Sequence, residues 1–213
     1  MVAISREEIE SLLSLYSTVK GGLARLLGAE FLEGRVEIYD VYLRSEDDVG
    51  VALYYNSLIH DGEEPLTEYV SYTDARVEAD RVGFFKVTGE QLRYTIEEVP
   101  GYYRFRVSLD RPVRRGERLE IVSKGHMGGK VWLEAPHHRR LILRGGPTDF
   151  AGRRSVDKHG RFHATLWKMP RGTVLLRTYP QPWRIYAEGD RLNVLFVFYT
   201  YGTHLMYLEY ELP

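Results

Sequence analysis

Near residue 34 the hydrophobic period of this chain shifts from about 3.6 residues to 2, and it does not shift back. Ahead of that point Ile9, Leu12, Leu13, Tyr16, Val19, Leu23, Leu26 and Leu27 recur at spacings of three and four, which places them on one stripe of an amphipathic helix over residues 5–27. Ser5 followed three residues later by Glu8 reads as a capping box, and Gly28 suits the first position past the helix. Gly21 and Gly22 lie inside the stripe, where each costs about 1 kcal/mol relative to Ala, so a bend or split is expected there. A helix of this kind covers one face or end of a sheet. Its paired glycines also suit a dimerisation helix, because they let a second backbone approach closely.

Beyond residue 34 strand-like runs appear at 36–43, 51–55, 69–77, 82–87, 92–99, 103–109, 119–122, 131–133, 141–143, 162–167 and 173–178. Polar turn signals such as His60-Asp61-Gly62 and Thr88-Gly89-Glu90 separate them. Short turns with no second helical pattern between the runs predict antiparallel pairing and exclude a chain of βαβ units. Residues 124–129, with three glycines around His126 and Met127, read as a loop. Residues 191–201 are almost continuously apolar, as in a strand covered on both faces, and Gly202-Thr203 is expected to turn them into a hairpin with 204–212. The expected fold is mainly β, an antiparallel β-sandwich with Greek-key-like connections and one N-terminal amphipathic α-helix. Residues 1–30 form the helical part, packed on or dimerising beside the sheet, and 31–213 the sandwich. Pro100-Gly101 marks an alternative sub-boundary.

That boundary is where the charge changes sign. Residues 1–102 carry 9 basic and 20 acidic side chains, whereas residues 103–177 carry 18 of the 29 basic side chains and only 6 acidic ones. A net charge of −1 therefore conceals a polarised chain. The basic block pairs Arg104 with Arg106, Arg114 with Arg115, Arg139 with Arg140 and Arg153 with Arg154, and adds Trp132. Such a block supplies phosphate contacts and stacking platforms for a polyanion or nucleic acid. An acidic half of nearly equal size favours another reading, in which outward Arg on one strand faces outward Glu or Asp on its neighbour. Complementary faces of opposite sign also suit docking to a protein partner or to another copy of the chain.

No motif carries a specific chemistry. The absence of cysteine excludes disulfides, thiolate metal sites and Cys nucleophiles. His159 and His163 are four apart, a spacing that brings two metal ligands together on a helix but separates them by about 13 Å on a strand, so no metal or other cofactor is expected. Ser155, Asp157 and His159 alternate as residues of a strand do, at nearly 7 Å, which is too far for a triad. Gly125 to Lys130 and Gly145-Gly146 lack the spacing of a phosphate-binding loop. Tyr179-Pro180-Gln181-Pro182-Trp183 sets aromatic rings on a proline-braced loop of the kind that carbohydrate-binding sandwiches use.

No apolar run approaches the roughly 20 residues that cross a bilayer, and Glu7, Glu8 and Glu10 stand where a signal peptide is basic, so a cytoplasmic protein without membrane insertion is expected. The reading is a binding or assembly module rather than an enzyme, recognising a protein or anionic partner through the arginine pairs of the basic block with Trp132 and Trp183. The alternative is a hydrolase gathering His126, His137, Asp149, His159 and His163 from loops of residues 124–163; a carbohydrate or small-ligand site is a further one.

Overall fold

The computed structural model describes residues 2–28, 30–41, 49–74, 81–100, 102–128, 139–145, 160–199, 204–211 and 213. Among them the chain is mainly β behind a single N-terminal helix, as the change of period requires. The helix α1 (Arg6–Leu27) is followed by β1 (Phe31–Asp40), β2 (Val49–Ile59), β3 (Leu66–Asp74), β4 (Val82–Phe85), β5 (Tyr94–Val99), β6 (Tyr102–Val113) and β7 (Arg118–Gly128). Then come β8 (Arg139–Gly145), β9 (Gly160–Pro170), β10 (Val174–Tyr179), β11 (Arg184–Glu188), β12 (Arg191–Phe198) and β13 (His204–Glu211).

Both ends of α1 follow from its sequence. The Ser5 hydroxyl accepts the Glu8 amide at 3.1 Å while the Glu8 carboxylate accepts the Ser5 amide at 2.8 Å. Gly28, at φ +63°, closes the other end with its N–H on the Ala24 carbonyl. The helix does not split at the two glycines, for α1 runs unbroken through both. Ile9, Leu12, Val19 and Leu23 are buried, and each contributes about 1.5–3 kcal/mol, more than enough to offset roughly 2 kcal/mol for the glycines. Gly22 faces the Trp183 ring, which a Cβ there would meet at 3.6 Å, an ordinary van der Waals distance. Among the described residues no helix is long and apolar enough to cross a membrane.

The strands form a seven-stranded sheet in the order β11-β12-β9-β1-β2-β7-β4 and two three-stranded sheets, β10-β13-β8 and β3-β6-β5. One face of the large sheet carries α1 over Val36, Ile38, Leu53, Tyr55, Phe162, Ala164 and Leu166. The opposite face, the inner face of the sandwich, bears two separate apolar cores. Leu208 and Tyr210 of β13 pack with Trp167, Met169, Val194, Phe196 and Phe198, and Phe105 and Val107 of β6 pack with Val82, Phe84, Leu119 and Ile121. Position 34 on β1 favours glycine: a Cβ would lie 2.5 Å from the Phe162 ring, which would have to shift.

Several local expectations are corrected. The large sheet is mixed, because β1 and β9 run parallel while its other pairs are antiparallel. Between these two strands the chain builds β2, β4 and β7 of the same sheet, all of β3-β6-β5 and only β8 of the third sheet, with no helix among the described residues. Residues 124–128 are not a loop; they continue β7, with Gly125 held opposite both Ala52 and Val82. Nor do β12 and β13 form a hairpin. Buried on both faces, β12 lies between β9 and β11 in the large sheet, whereas β13 lies between β10 and β8. The hairpin in this region is β11–β12, where Glu188 faces Arg191 across Gly189-Asp190, with Gly189 at φ +57°. Val99 faces Tyr102, so the charge reversal at Pro100-Gly101 falls between paired strands of one sheet.

Candidate functional site

Between the two inner cores the central strands carry a buried polar stripe. Strand alternation points Glu33, Arg35, Glu37 and Tyr39 of β1 to the inner face, and the parallel register sets them beside Arg161, His163, Thr165 and Trp167 of β9. Arg161 clamps Glu33 with Nε at 2.9 Å and Nη2 at 2.5 Å, and the other Glu33 oxygen accepts the Ile59 amide at 2.6 Å. Glu37 accepts from Arg35 Nη2 at 2.5 Å and His163 Nε2 at 3.2 Å on one oxygen, and from the Tyr39 hydroxyl at 3.0 Å on the other. The Arg35 guanidinium lies over the Tyr54 ring at 5.3 Å, and Tyr39 stacks on Trp167 at 4.4 Å.

This arrangement holds charge in place and is poorly suited to moving protons. Burial alone would raise the Glu37 carboxyl, but the charges of Arg35 and His163 and hydrogen bonds from His163 and Tyr39 outweigh it and bring it down to about 2. A carboxylate so acidic is a weak general base at neutral pH. The Tyr39 hydroxyl is pushed well up by burial and by Glu37. Thr165 Oγ1 meets the same His163 Nε2, at 3.4 Å, that already contacts Glu37. In a triad the base engages its two partners through different ring nitrogens, so these three side chains do not form one.

The predicted residues scatter. His163 belongs to the stripe, whereas His126 on β7 has the parity of Val122 and faces the helix side of the sheet. Three strand spacings, roughly 14 Å, and the sheet itself separate the two histidines. Burial, then Lys124 and Arg81, lower the His126 imidazole against the pull of Glu8. His137, Asp149, His159, Trp132, Arg153 and Arg154 lie outside the described residues. Arg140 and Arg139 of β8 stand in register opposite Glu209 and Tyr210. Arg104 and Arg106 on the outer face of β6 both bind Glu97 of β5, at 3.1 and 3.0 Å, and Arg106 also reaches Glu68 of β3 at 3.3 Å. Lys124 binds Glu8 at 2.7 Å, and Arg111 binds Glu117 at 3.0 Å. Arg114 and Arg115 are exposed in the turn between β6 and β7. Among the described residues no three His, Cys, Asp or Glu side chains group as metal ligands.

An apolar flank was missed in the sequence. Val174, Leu176, Tyr179, Trp183 and Ile185, on β10, on β11 and between them, are each 41–61% exposed. The stripe of α1 ends on the same flank: one turn beyond the Trp183 contact at Gly22, Leu26 and Leu27 are 67% and 42% exposed. The strand edges differ. At β4 the following turn covers the edge, with Leu92 N–H on Phe84 O and Lys86 N–H on Glu90 O, both at 2.8 Å. Strand β10 carries a register shift between Leu175 and Arg177. Strand β11 is regular from Arg184 to Glu188, and its outer edge pairs with no other described strand. The signal that could have revealed β11 is Gly189-Asp190, a two-residue hairpin turn.

No family model matches the sequence, and no curated protein matches it. Solved structures share its fold. An M1 zinc metallopeptidase from Deinococcus radiodurans superposes over 85% of this chain and 42% of its own, with a TM-score of 0.50 and 10% identity. A variant of a two-domain M1 zinc metallopeptidase bound to L-arginine gives the same coverage and TM-score at 13% identity. The chain thus spans about two-fifths of the length of these structures. At such identity the likeness concerns the fold alone. None of the seven histidines is followed by glutamate, so the sequence carries no His-Glu-x-x-His element.

Proposed function

We propose that the chain is a binding and assembly module that docks against another protein through the flank formed by β10, β11 and the end of α1. The observation that carries this reading is the run of exposed apolar side chains at Val174, Leu176, Tyr179, Trp183 and Ile185, which leads into a regular strand edge that no other described strand pairs. Natural sheets usually blunt such an edge or cover it with another element. The polar stripe supports a non-catalytic reading, since its carboxylates are engaged by Arg161, Arg35, His163 and Tyr39. The ion pairs of Arg104, Arg106, Lys124 and Arg161 favour a protein partner over a polyanion, because each joins the basic block to a carboxylate of the acidic half. In the M1 peptidases this fold accounts for under half of a longer chain.

Two measurements test it. Titration of the labelled protein with an alternating threonine–valine octapeptide, followed by NMR, should shift the amides of residues 184–188. Assay with aminoacyl nitroanilides and added zinc should show no turnover. Turnover lost on His163→Ala would overturn the non-catalytic half, and the absence of shifts at 184–188 in protein that is monomeric at the titrated concentration would overturn the docking half.

A further inference from the structure

We propose that the partner at this flank is a second copy of the chain, with the two β11 strands paired antiparallel about a two-fold axis through Tyr186. This rests on the docking reading above and names the occupant.

The strand is its own complement. In this register Arg184 lies opposite Glu188 of the second copy, Ile185 opposite Ala187, and Tyr186 opposite itself; the two-fold repeats each heterotypic contact. Directly opposed residues of antiparallel strands share a face, so the two ion pairs fall on the helix side and the two Ile–Ala contacts on the inner side. Moving the register by one residue in either direction sets Arg184 opposite Ala187 or Gly189 and loses both ion pairs. Arg184 is already held toward the axis, its guanidinium 5.0 Å from the centre of the Tyr186 ring. Strand β11 contains no proline or bulge and no two like charges that the symmetric pairing would oppose, which are the usual devices against edge pairing. The bulge of β10 and the covered edge of β4 make those edges poorer choices. On the helix side, exposed Leu26 and Leu27 add apolar surface at the same flank, beyond what five residues of strand bury.

Sedimentation equilibrium of the full chain from micromolar to millimolar concentration tests the pairing, with circular dichroism melts checking that each variant folds. The wild type should dimerise with concentration. Glu188→Arg places two Arg–Arg contacts across the axis and should weaken association by about tenfold. Adding Arg184→Glu restores two opposite-charge pairs and should recover most of that loss. The single and double variants carry the same new side chain at position 188, facing Arg191 of their own hairpin, so the difference between them reports the contact between copies. A dimer indifferent to Glu188→Arg, or not recovered by the double exchange, overturns the proposal. So does a monomer at every concentration; if the octapeptide still shifts 184–188, the docking reading survives with a different partner, and if it does not, both fall.

Discussion

Protonating Glu37 should unlock the polar stripe, and acid titration of stability reads it directly. The Glu37 carboxyl falls from an ordinary 4.5 to about 2 on folding, with burial opposing the shift and Arg35 and His163 driving it. Because the folded value is depressed, the unfolded chain takes up this proton first, and the stabilisation is complete above about 4.5 and lost as pH falls toward about 2. At 1.36 kcal/mol per pKa unit the contribution at neutral pH is on the order of 3 kcal/mol. Glu37→Gln keeps the shape but removes the charge, leaving the half-buried Arg35 beside a neutral amide. Urea unfolding of both proteins between about pH 7 and pH 3 should show wild type more stable by roughly 3 kcal/mol at neutral pH, with the gap closing below about pH 4.5. Parallel stability curves with a constant offset would refute the assignment, since the difference would then owe nothing to ionisation of Glu37.

Gly34→Ala should destabilise the fold by about 1–3 kcal/mol in urea, because its Cβ drives into the Phe162 ring beneath α1; an unchanged midpoint would show that the ring yields freely. Arg161→Ala strands Glu33 without its cation and should cost about 3–5 kcal/mol by the same assay, whereas Arg106→Ala on the exposed face of β6 should cost under about 1 kcal/mol. Heparin resin at low salt should fail to retain the protein; firm retention would show that the basic block presents an anion-binding surface after all.

Much of the fold can be read along the chain because local chemistry marks it. Ser5, Glu8 and Gly28 delimit α1 as they would in isolation, and β6 alternates Arg104 and Arg106 outward with Phe105 and Val107 inward. The acidic half foreshadows its partners, since Glu97 and Glu68 on neighbouring strands take those two arginines. What cannot be read is non-local. Glu33, Arg35 and Glu37 alternate like a water-facing row, and only the parallel register with β9 reveals Glu33 buried against Arg161 and Glu37 buried against His163. Whether β12 turns into β13 or passes to another sheet depends on partners distant in sequence. With Arg, Ile, Tyr, Ala and Glu in five positions, β11 is too short and too mixed to announce itself against its proline-rich lead-in. The helix stripe is legible to Leu27, but not that its burial stops at Leu23 and leaves Leu26 and Leu27 exposed.

The docking flank is tested most directly by hydrogen exchange measured at low and high protein concentration. Amides of residues 184–188 on the outer edge of β11 should exchange freely when the protein is dilute and slow progressively as it is concentrated, while β4 and β7 stay unchanged. Exchange at 184–188 that is independent of concentration, or slowing that arises on another strand, would contradict the account.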